Sequence, residues 1–417
     1  MSKKSKIIRD PIHGDIKLKG FFLDLIEAAE LQRLYNIKQL GFAHLVYPGA
    51  NHTRLEHSLG TYHMAYKAAE ILNLNNNEKE IVACAALLHD IGHGPFSHTL
   101  EYILRDKLNV DHVDLTEKLI FGEHKIFNES EKDFIVSPGV FEILNKYSID
   151  LKQISNIIRG KSTKNSYLCQ LLNSSIDVDQ LDYLIRDAYY TGVAYGMIDI
   201  DRFLQTLIIN GDRLAVLKKG VGVIENILMA RSLMYSSVYF HKTVRIAELM
   251  LSKAIELIDD LDPFEFFKKT DTELVNDLKR MGSFQNEIIT RLKYRNLFKQ
   301  AYTVSGSTLD KTSIKTIEKY EKLKSRREKE QYIENSLNIP SGHVIIDIPS
   351  YELHQAEPRI DQTDVTIIDG NKTKSLDEYT PIAKAIKLRD ITEWKVMIIA
   401  DDKYRKLVSE KAEDLLF

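Results

Sequence analysis

Cysteine is nearly missing from this chain, with two in 417 residues, Cys84 and Cys169. Both lie in apolar, helix-like stretches and read as core residues. A disulfide framework is therefore not supported, which fits a reducing compartment. Also missing is any run near the roughly 18 uninterrupted apolar residues of a membrane span. The opening Met1-Ser2-Lys3-Lys4-Ser5-Lys6 is basic but has no apolar h-region, so it is not read as a signal peptide and a cytoplasmic protein is expected. Charge of one sign is lacking too. With 57 Lys+Arg against 60 Asp+Glu the formal net charge is -3, so no global basic field implies nucleic acid. An anionic ligand must then be held by local cations. There is no internal repeat and no low-complexity segment. What remains is ordinary globular composition, 44% apolar and 28% charged, with length enough for two domains.

What is present concentrates between Leu87 and Glu101, where three histidines and two carboxylates fall close together. The apolar run from Glu80 to Leu88 predicts a buried helix. Gly92, Gly94 and Pro95 end it, leaving His89 and Asp90 at its C-terminal end. An isolated His-Asp pair would read as a cap on a core helix. Imidazole beside carboxylate also suits a borderline divalent cation such as Mn, Fe or Zn. Further candidates shift the reading towards metal. A helix from His52 or Thr53 to about Leu72 carries Leu55, Leu59, Tyr62, Tyr66 and Ala69 as its core stripe. It sets Arg54 and His57 three apart, one guanidinium for an anion and one imidazole for a metal. Residues 176–190 form another helix, striped by Leu181, Leu184, Ile185 and Ala188. Asp179, Tyr183 and Asp187 recur every fourth residue there and read as lining a pocket, whereas Asp182 reads as solvated surface charge.

Elsewhere, 7–20 predicts a turn at Asp10-Pro11 between short extended pieces, then helices at 21–30 and 30–37. Residues 113–172 read as helical throughout. Asn210-Gly211 supplies the positive φ angles of a tight turn in a hairpin within 204–218. A long helix from Val223 to Ile258 brings Arg231, Tyr235, Tyr239 and Lys242 near one face. Around residue 300, helical periodicity yields to Lys/Glu-rich sequence at 315–334 and strand-like pieces at 342–349, 365–370 and 394–400. Trp394 reads as a packing residue there. A mostly helical domain over 1–300 and a smaller α+β lobe over 301–417 are expected.

The order His57, His89-Asp90, Asp179 resembles the signature of the HD superfamily of metal-dependent phosphohydrolases. Further motifs narrow the match: Asp10-Pro11-Ile12-His13-Gly14, Gln32-Arg33-Leu34, Ile37 to Gly41, Arg54 to Gly60, His89 to His98, Asp177 to Tyr183 and Tyr294 to Lys299. Together they resemble the deoxynucleoside triphosphate (dNTP) triphosphohydrolases over roughly 7–300. That resemblance implies a mainly α fold, an HD-domain helical bundle with a small β-hairpin and a C-terminal α+β lobe. It implies an enzyme splitting dNTPs into deoxynucleoside and inorganic triphosphate. His57, His89, Asp90 and Asp179 would ligate a divalent ion, Mn, Mg, Fe or Zn, two carboxylates balancing its charge. His112 takes the catalytic position, Glu101 that of its carboxylate partner, with His93 beside them. Arg54 and Arg231 match phosphate-binding positions, with Lys242 and His98 as additions. Gln39, Tyr183 and Asp187 match sugar positions, and Tyr239 matches the aromatic that crowds the ribose 2′ position. Gln180 stands where relatives often carry Lys or Arg.

The same resemblance implies a homo-oligomer, dimer or tetramer, with an activating nucleotide held by Arg295, Lys299, Arg202, Lys219 and Gln32. Arg295 and Lys299 would be i, i+4 on a helix and meet one phosphate group. Tyr35 replaces an arginine of the vertebrate branch and cannot supply its paired donors, so altered effector choice is expected. Neither membrane nor nucleic acid is implied. Two other readings stay open: an HD phosphohydrolase acting on another nucleotide or a nucleic-acid end, and a nucleotide sensor without turnover. Retention of the ligands and of the His112/Glu101 pair argues against the sensor, because binding alone does not require them.

Overall fold

A hairpin opens the fold: β1 (Ser5–Asp10) and β2 (Gly14–Lys19) pair antiparallel from Ser5↔Lys19 to Asp10↔Gly14. Asp10 builds its turn, accepting the N–H groups of Ile12 and His13 at 2.9 and 2.8 Å, and Gly14 takes φ +74°. Ile16 and Leu18 are fully buried and seat the hairpin on the core. The structure, a computed structural model, describes residues 5–97, 103, 110–127, 130–161, 165–258, 262–305, 309–348, 364–387 and 395–417. In place of two longer helices, 21–37 holds the short helices Phe22–Leu25 and Ala29–Gln32 and a 3-10 turn, Arg33–Asn36.

Helices α1 (Arg54–Ile71) and α2 (Asn76–Leu88) pack together at the centre. Each begins with a reciprocal capping box, Thr53 with Glu56 and Asn75 with Glu78, which fixes its first turn. Helix α3 (His112–Ile120) follows, and then Val140–Lys146, Leu151–Ile158 and Ser166–Leu172. The stretch 113–172 is therefore not one continuous helical run. Gly122 and Gly160 interrupt it in left-handed conformation, at φ +70° and +66°. Helix α4 (Val178–Thr191) is ended by Gly192 at φ +76°. Together with α5 (Val221–Met234), helices α1, α2 and α4 share one apolar cluster.

The helix expected over 223–258 is broken. After α5 comes a π-turn, Tyr235–Tyr239, and α6 (Lys242–Glu256) restarts from a His241 cap. The hydroxyls of Ser236 and Ser237 donate to the Leu233 carbonyl at 3.1 and 2.6 Å, offering the backbone an alternative to the regular ladder. A second cluster surrounds α6, where Val244, Met250 and Phe298 meet Ile345, Met397 and Ile399 from beyond residue 300.

Two small sheets complete the fold. β3 (Leu207–Asn210) and β4 (Arg213–Leu217) close on Gly211-Asp212; Asn210 is paired with Arg213, so Gly211 alone supplies positive φ, +63°, in that turn. β7 (Thr366–Asp369) joins β4 in parallel and β8 (Lys372–Ser375) joins β7, giving the order β3-β4-β7-β8. β5 (Lys299–Val304), β6 (Val344–Asp347) and β9 (Val396–Ala400) make an antiparallel sheet ordered β5-β9-β6. Helices Lys311–Lys319, Leu323–Leu337 and Arg405–Leu416 cover it around Ile317, Ile333, Ile398 and Val408. The charged 315–334 stretch is thus mostly helix, and the whole is mainly α with small sheets. Trp394 lies outside the described residues. Among the described residues no helix is long and apolar enough to cross a membrane.

Candidate metal centre and substrate site

Three helices deliver four groups to one point. His57 lies in the first turns of α1, His89 caps the C-terminal end of α2 with Asp90 beside it, and Asp179 lies in the first turn of α4. Ligand atoms of His57, His89 and Asp90 all lie within 4.8 Å of one another. Asp179 Oδ1 stands 3.0 Å from His57 Nε2 and 3.5 Å from His89 Nε2. Each ring is oriented from behind: His57 Nδ1 is 2.8 Å from Asp182 Oδ2, and His89 Nδ1 is 2.8 Å from the Ala86 carbonyl. An ionised carboxylate and a carbonyl only accept, so Nδ1 carries the proton in both rings and Nε2 faces the centre. His89 Nε2 is buried outside hydrogen-bond geometry, with Asp90 and Asp179 oxygens at 3.2 and 3.5 Å. A buried imidazole nitrogen so placed between carboxylates fits a cation ligand.

The electrostatics agree. Burial alone would raise Asp90, but His89, His93 and Arg54 hold it well below the usual carboxylate range. His57 and His89 outweigh burial at Asp179 in the same way. Burial would depress His57, yet its hydrogen bonds to Asp179 and Asp182 lift it to about 10. A proton held this firmly stands where a divalent ion would carry the positive charge.

Beside the four groups sits a loop held from two sides. Arg33 donates to the carbonyls of Phe267 and Lys269 at 3.0 and 3.2 Å, and to those of Ile91 and His93 at 3.0 and 2.6 Å. Thr116 Oγ1 accepts the Gly92 N–H at 3.0 Å and donates to the His89 carbonyl at 3.1 Å. Gly92 has to be glycine here, because a Cβ would lie 2.2 Å from the His112 carbonyl oxygen. The start of α3 thereby sits on the loop, with the His112 ring stacked on His93 at 3.9 Å and 13°. His93 Nε2 is 3.3 Å from Asp90 Oδ1, and Arg54 Nη1 donates to Asp90 Oδ2 at 2.7 Å. Burial, Arg54 and His112 keep His93 well below the ordinary imidazole value, so it is neutral. Glu101 and His98 lie outside the described residues.

Farther along α4, Asp187 is held at both oxygens, by His52 Nε2 and by the Tyr239 hydroxyl, each at 2.7 Å. The π-turn brings Tyr239 there, edge-on to Tyr183 at 6.1 Å. Gln39 is buried; its N–H donates to the His52 carbonyl at 3.0 Å and its amide oxygen has no hydrogen-bond partner among the described residues. Arg231 is buried as well, with Nη1 donating to the Ser175 carbonyl at 2.9 Å and to Gln180 Oε1 at 3.0 Å. Gln180 thus braces the arginine. Lys242 is exposed at the start of α6.

Asp182 departs from its reading as surface charge: it has no exposure at all. Helix α4 is buried on nearly every side, so its polar residues take partners from neighbouring elements rather than from water. A signal existed, since Asp182 is three residues after Asp179 and four before Arg186. His13, His52, Arg33 and Thr116 were missed as well. The partners of His13 and His52 are 169 and 135 residues away, beyond any local pattern.

The cations expected to meet an activating nucleotide do not share a helix. The helix Ser283–Lys293 stops short of Arg295, which takes φ +56° and donates Nε to the Leu45 carbonyl at 2.9 Å, while Lys299 opens β5. Arg202 and Lys219 are exposed, and Gln32 Nε2 donates to the Ile26 carbonyl at 2.6 Å. A second trio with metal-like spacing, Glu287, His343 and Asp401, is spanned by Arg291, 2.8 Å from Glu287 and 2.5 Å from Asp401, and reads as a salt-bridged joint.

The HD domain model matches residues 54–187, and the HD associated region matches 198–417. Uncharacterized protein MJ1154 of Methanocaldococcus jannaschii is 36% identical over 98% of this chain and 82% of its own length. The deoxynucleoside triphosphate triphosphohydrolase SAMHD1 homolog of Dictyostelium discoideum is 31% identical over 73% of this chain, which spans 62% of that relative. Among solved structures, a phosphohydrolase from Bacteroides thetaiotaomicron superposes with a TM-score of 0.70 at 27% identity, over 96% of this chain and 100% of that one.

Proposed function

The chain belongs to the HD-domain family that includes the SAMHD1-type dNTP triphosphohydrolases, and from that premise we propose that it hydrolyses dNTPs to deoxynucleoside and inorganic triphosphate. HD phosphohydrolases are metal-dependent enzymes. The observation that carries the reading is the convergence of His57, His89, Asp90 and Asp179 beside Arg54 and the His93–His112 stack. The Dictyostelium relative's name supports dNTPs as the substrate class.

The four converging groups would hold the ion, which when bound supplies Lewis acidity and water activation. Water adds at the α-phosphorus and the bond to the 5′ oxygen breaks. Arg54, tied to Asp90, and Arg231, braced by Gln180, offer cations to the triphosphate, with Lys242 and His98 as further contacts. His112 gives its proton to the departing 5′ oxygen, Glu101 selects its tautomer, and neutral His93 steadies its ring. Asp187, Gln39 and Tyr183 take the sugar, while Tyr239 stands against a 2′-hydroxyl. We place the enzyme in the cytoplasm as a dimer or tetramer divided near residue 300. Arg295, Lys299, Arg202, Lys219 and Gln32 serve an activating nucleotide as separate contacts rather than as one paired helix face.

Incubation with each dNTP and NTP, in Mn²⁺ or Mg²⁺, tests the proposal by chromatography of the products. Deoxynucleoside and intact triphosphate are expected. A nucleoside monophosphate, or stepwise release of phosphate, would assign a different phosphohydrolase; no turnover with retained nucleotide binding would assign a sensor.

A further inference from the structure

The Asp10-Pro11-Ile12-His13-Gly14 turn has no part in the chemistry above, yet it reaches the metal centre. His13 Nε2 lies 2.6 Å from Asp182 Oδ1, across 169 residues of sequence. Arg186 grips the same carboxylate at both oxygens, Nε at 2.9 Å and Nη2 at 3.0 Å. Its Nη1 donates to Asp10 Oδ2 at 2.8 Å, and Asp10 Oδ1 in turn holds the N–H groups of Ile12 and His13. The turn therefore reaches Asp182 by two routes, directly through His13 and indirectly from Asp10 through Arg186. Asp182 spends its other oxygen on His57 Nδ1.

We propose that this turn is the outer wall of the metal centre, and that His13 and Asp182 are positioning residues fixing the ring angle and tautomer of His57. His57 is here taken as a ligand of the centre proposed above. A carboxylate anchored at both oxygens cannot swing, so the Nδ1 proton and with it the direction of Nε2 are set before any ion arrives. Gly60 makes the approach possible: a Cβ there would lie 1.9 Å from Asp182 Oδ1 and 2.4 Å from Arg186 Nη2. A helix of ordinary side chains at that position would push the carboxylate off His57.

The test is calorimetric titration of chelator-stripped protein with Mn²⁺, with circular dichroism and melting curves as the check on folding. Losing an outer-shell partner typically weakens metal affinity about 10–100-fold. His13→Leu and Gly60→Ala are expected in that range, and His13→Gln, which keeps an N–H donor, close to wild type. Folded His13→Leu and Gly60→Ala proteins that bind Mn²⁺ as tightly as wild type would overturn the proposal. A wild type that binds no Mn²⁺ would instead sink the metal-centre reading itself. If both variants fail to fold, histidine ¹⁵N spectra of the Zn²⁺-loaded wild type decide. His57, assigned by its loss in His57→Gln, must keep the Nδ1 proton and coordinate through Nε2; coordination through Nδ1 refutes the assignment.

Discussion

Thr116 accepts from Gly92 and donates to His89, so valine in its place leaves a buried N–H and a buried carbonyl unmet at the edge of the centre. Such a loss costs about 1–3 kcal/mol. Thr116→Val is expected to melt earlier and to lose activity, because the same bond holds the backbone of His89, while Thr116→Ser keeps both. Equal melting and equal rates for the valine variant would mean that the loop is held elsewhere. At this scale the sequence was legible where chemistry is written in order: His57, His89, Asp90 and Asp179 all reach one point. It was illegible where a polar residue's partner is remote. A helical wheel sends Asp182 to water, because no wheel can know that α4 is enclosed.

The π-turn is the element that the periodic pattern hid. Tyr235 to Tyr239 continue an apolar repeat, and the extra residue in the turn appears only where Ser236 and Ser237 bond back to Leu233. Deleting Ser236 would restore α-helical register and swing Tyr239 by about 100° from Asp187. The expected result is a reduced preference for dNTPs over NTPs in kcat/KM; an unchanged ratio would remove Tyr239 from sugar discrimination. Strand β6 carries a second element-scale consequence. As an edge strand it is covered by the helix Leu323–Leu337, whose Glu330 and Glu334 accept the N–H groups of Ile346 and Val344 at 2.8 and 3.0 Å. Burial, with Glu330 beside it, raises Glu334 from 4.5 to about 7. An acid with a raised folded pKa binds more protons folded than unfolded, so its contribution falls as pH climbs through that window and is fully retained below it. Glu334→Gln, which still accepts, should therefore melt above wild type at about pH 8 and show no gain at about pH 4. A gain of equal size at both would discard the titration.

The strand-like segments past residue 340 were readable from their β-branched runs, but how they lodge against the first part of the molecule was not. Parallel pairing of β7 with β4, and the packing of Ile345, Met397 and Ile399 onto α6, join positions that no local pattern relates. A chain cut after residue 300 would expose that cluster and the open side of β4. It is expected to be insoluble or unfolded where the full chain is not, by sedimentation and circular dichroism. A soluble, cooperatively melting fragment would mean that the first part keeps its own core. The reach of the N-terminal turn has an equivalent bearing on biogenesis. His13 and Asp182 meet across 169 residues, and closing so long a loop waits on everything between. Until the chain has grown well past Arg186, His57 lacks its Asp182 partner and Asp179 cannot yet reach it. Capture of an ion by the proposed centre would then follow the synthesis of the whole first half, and the turn made first would be among the last pieces that the centre could use.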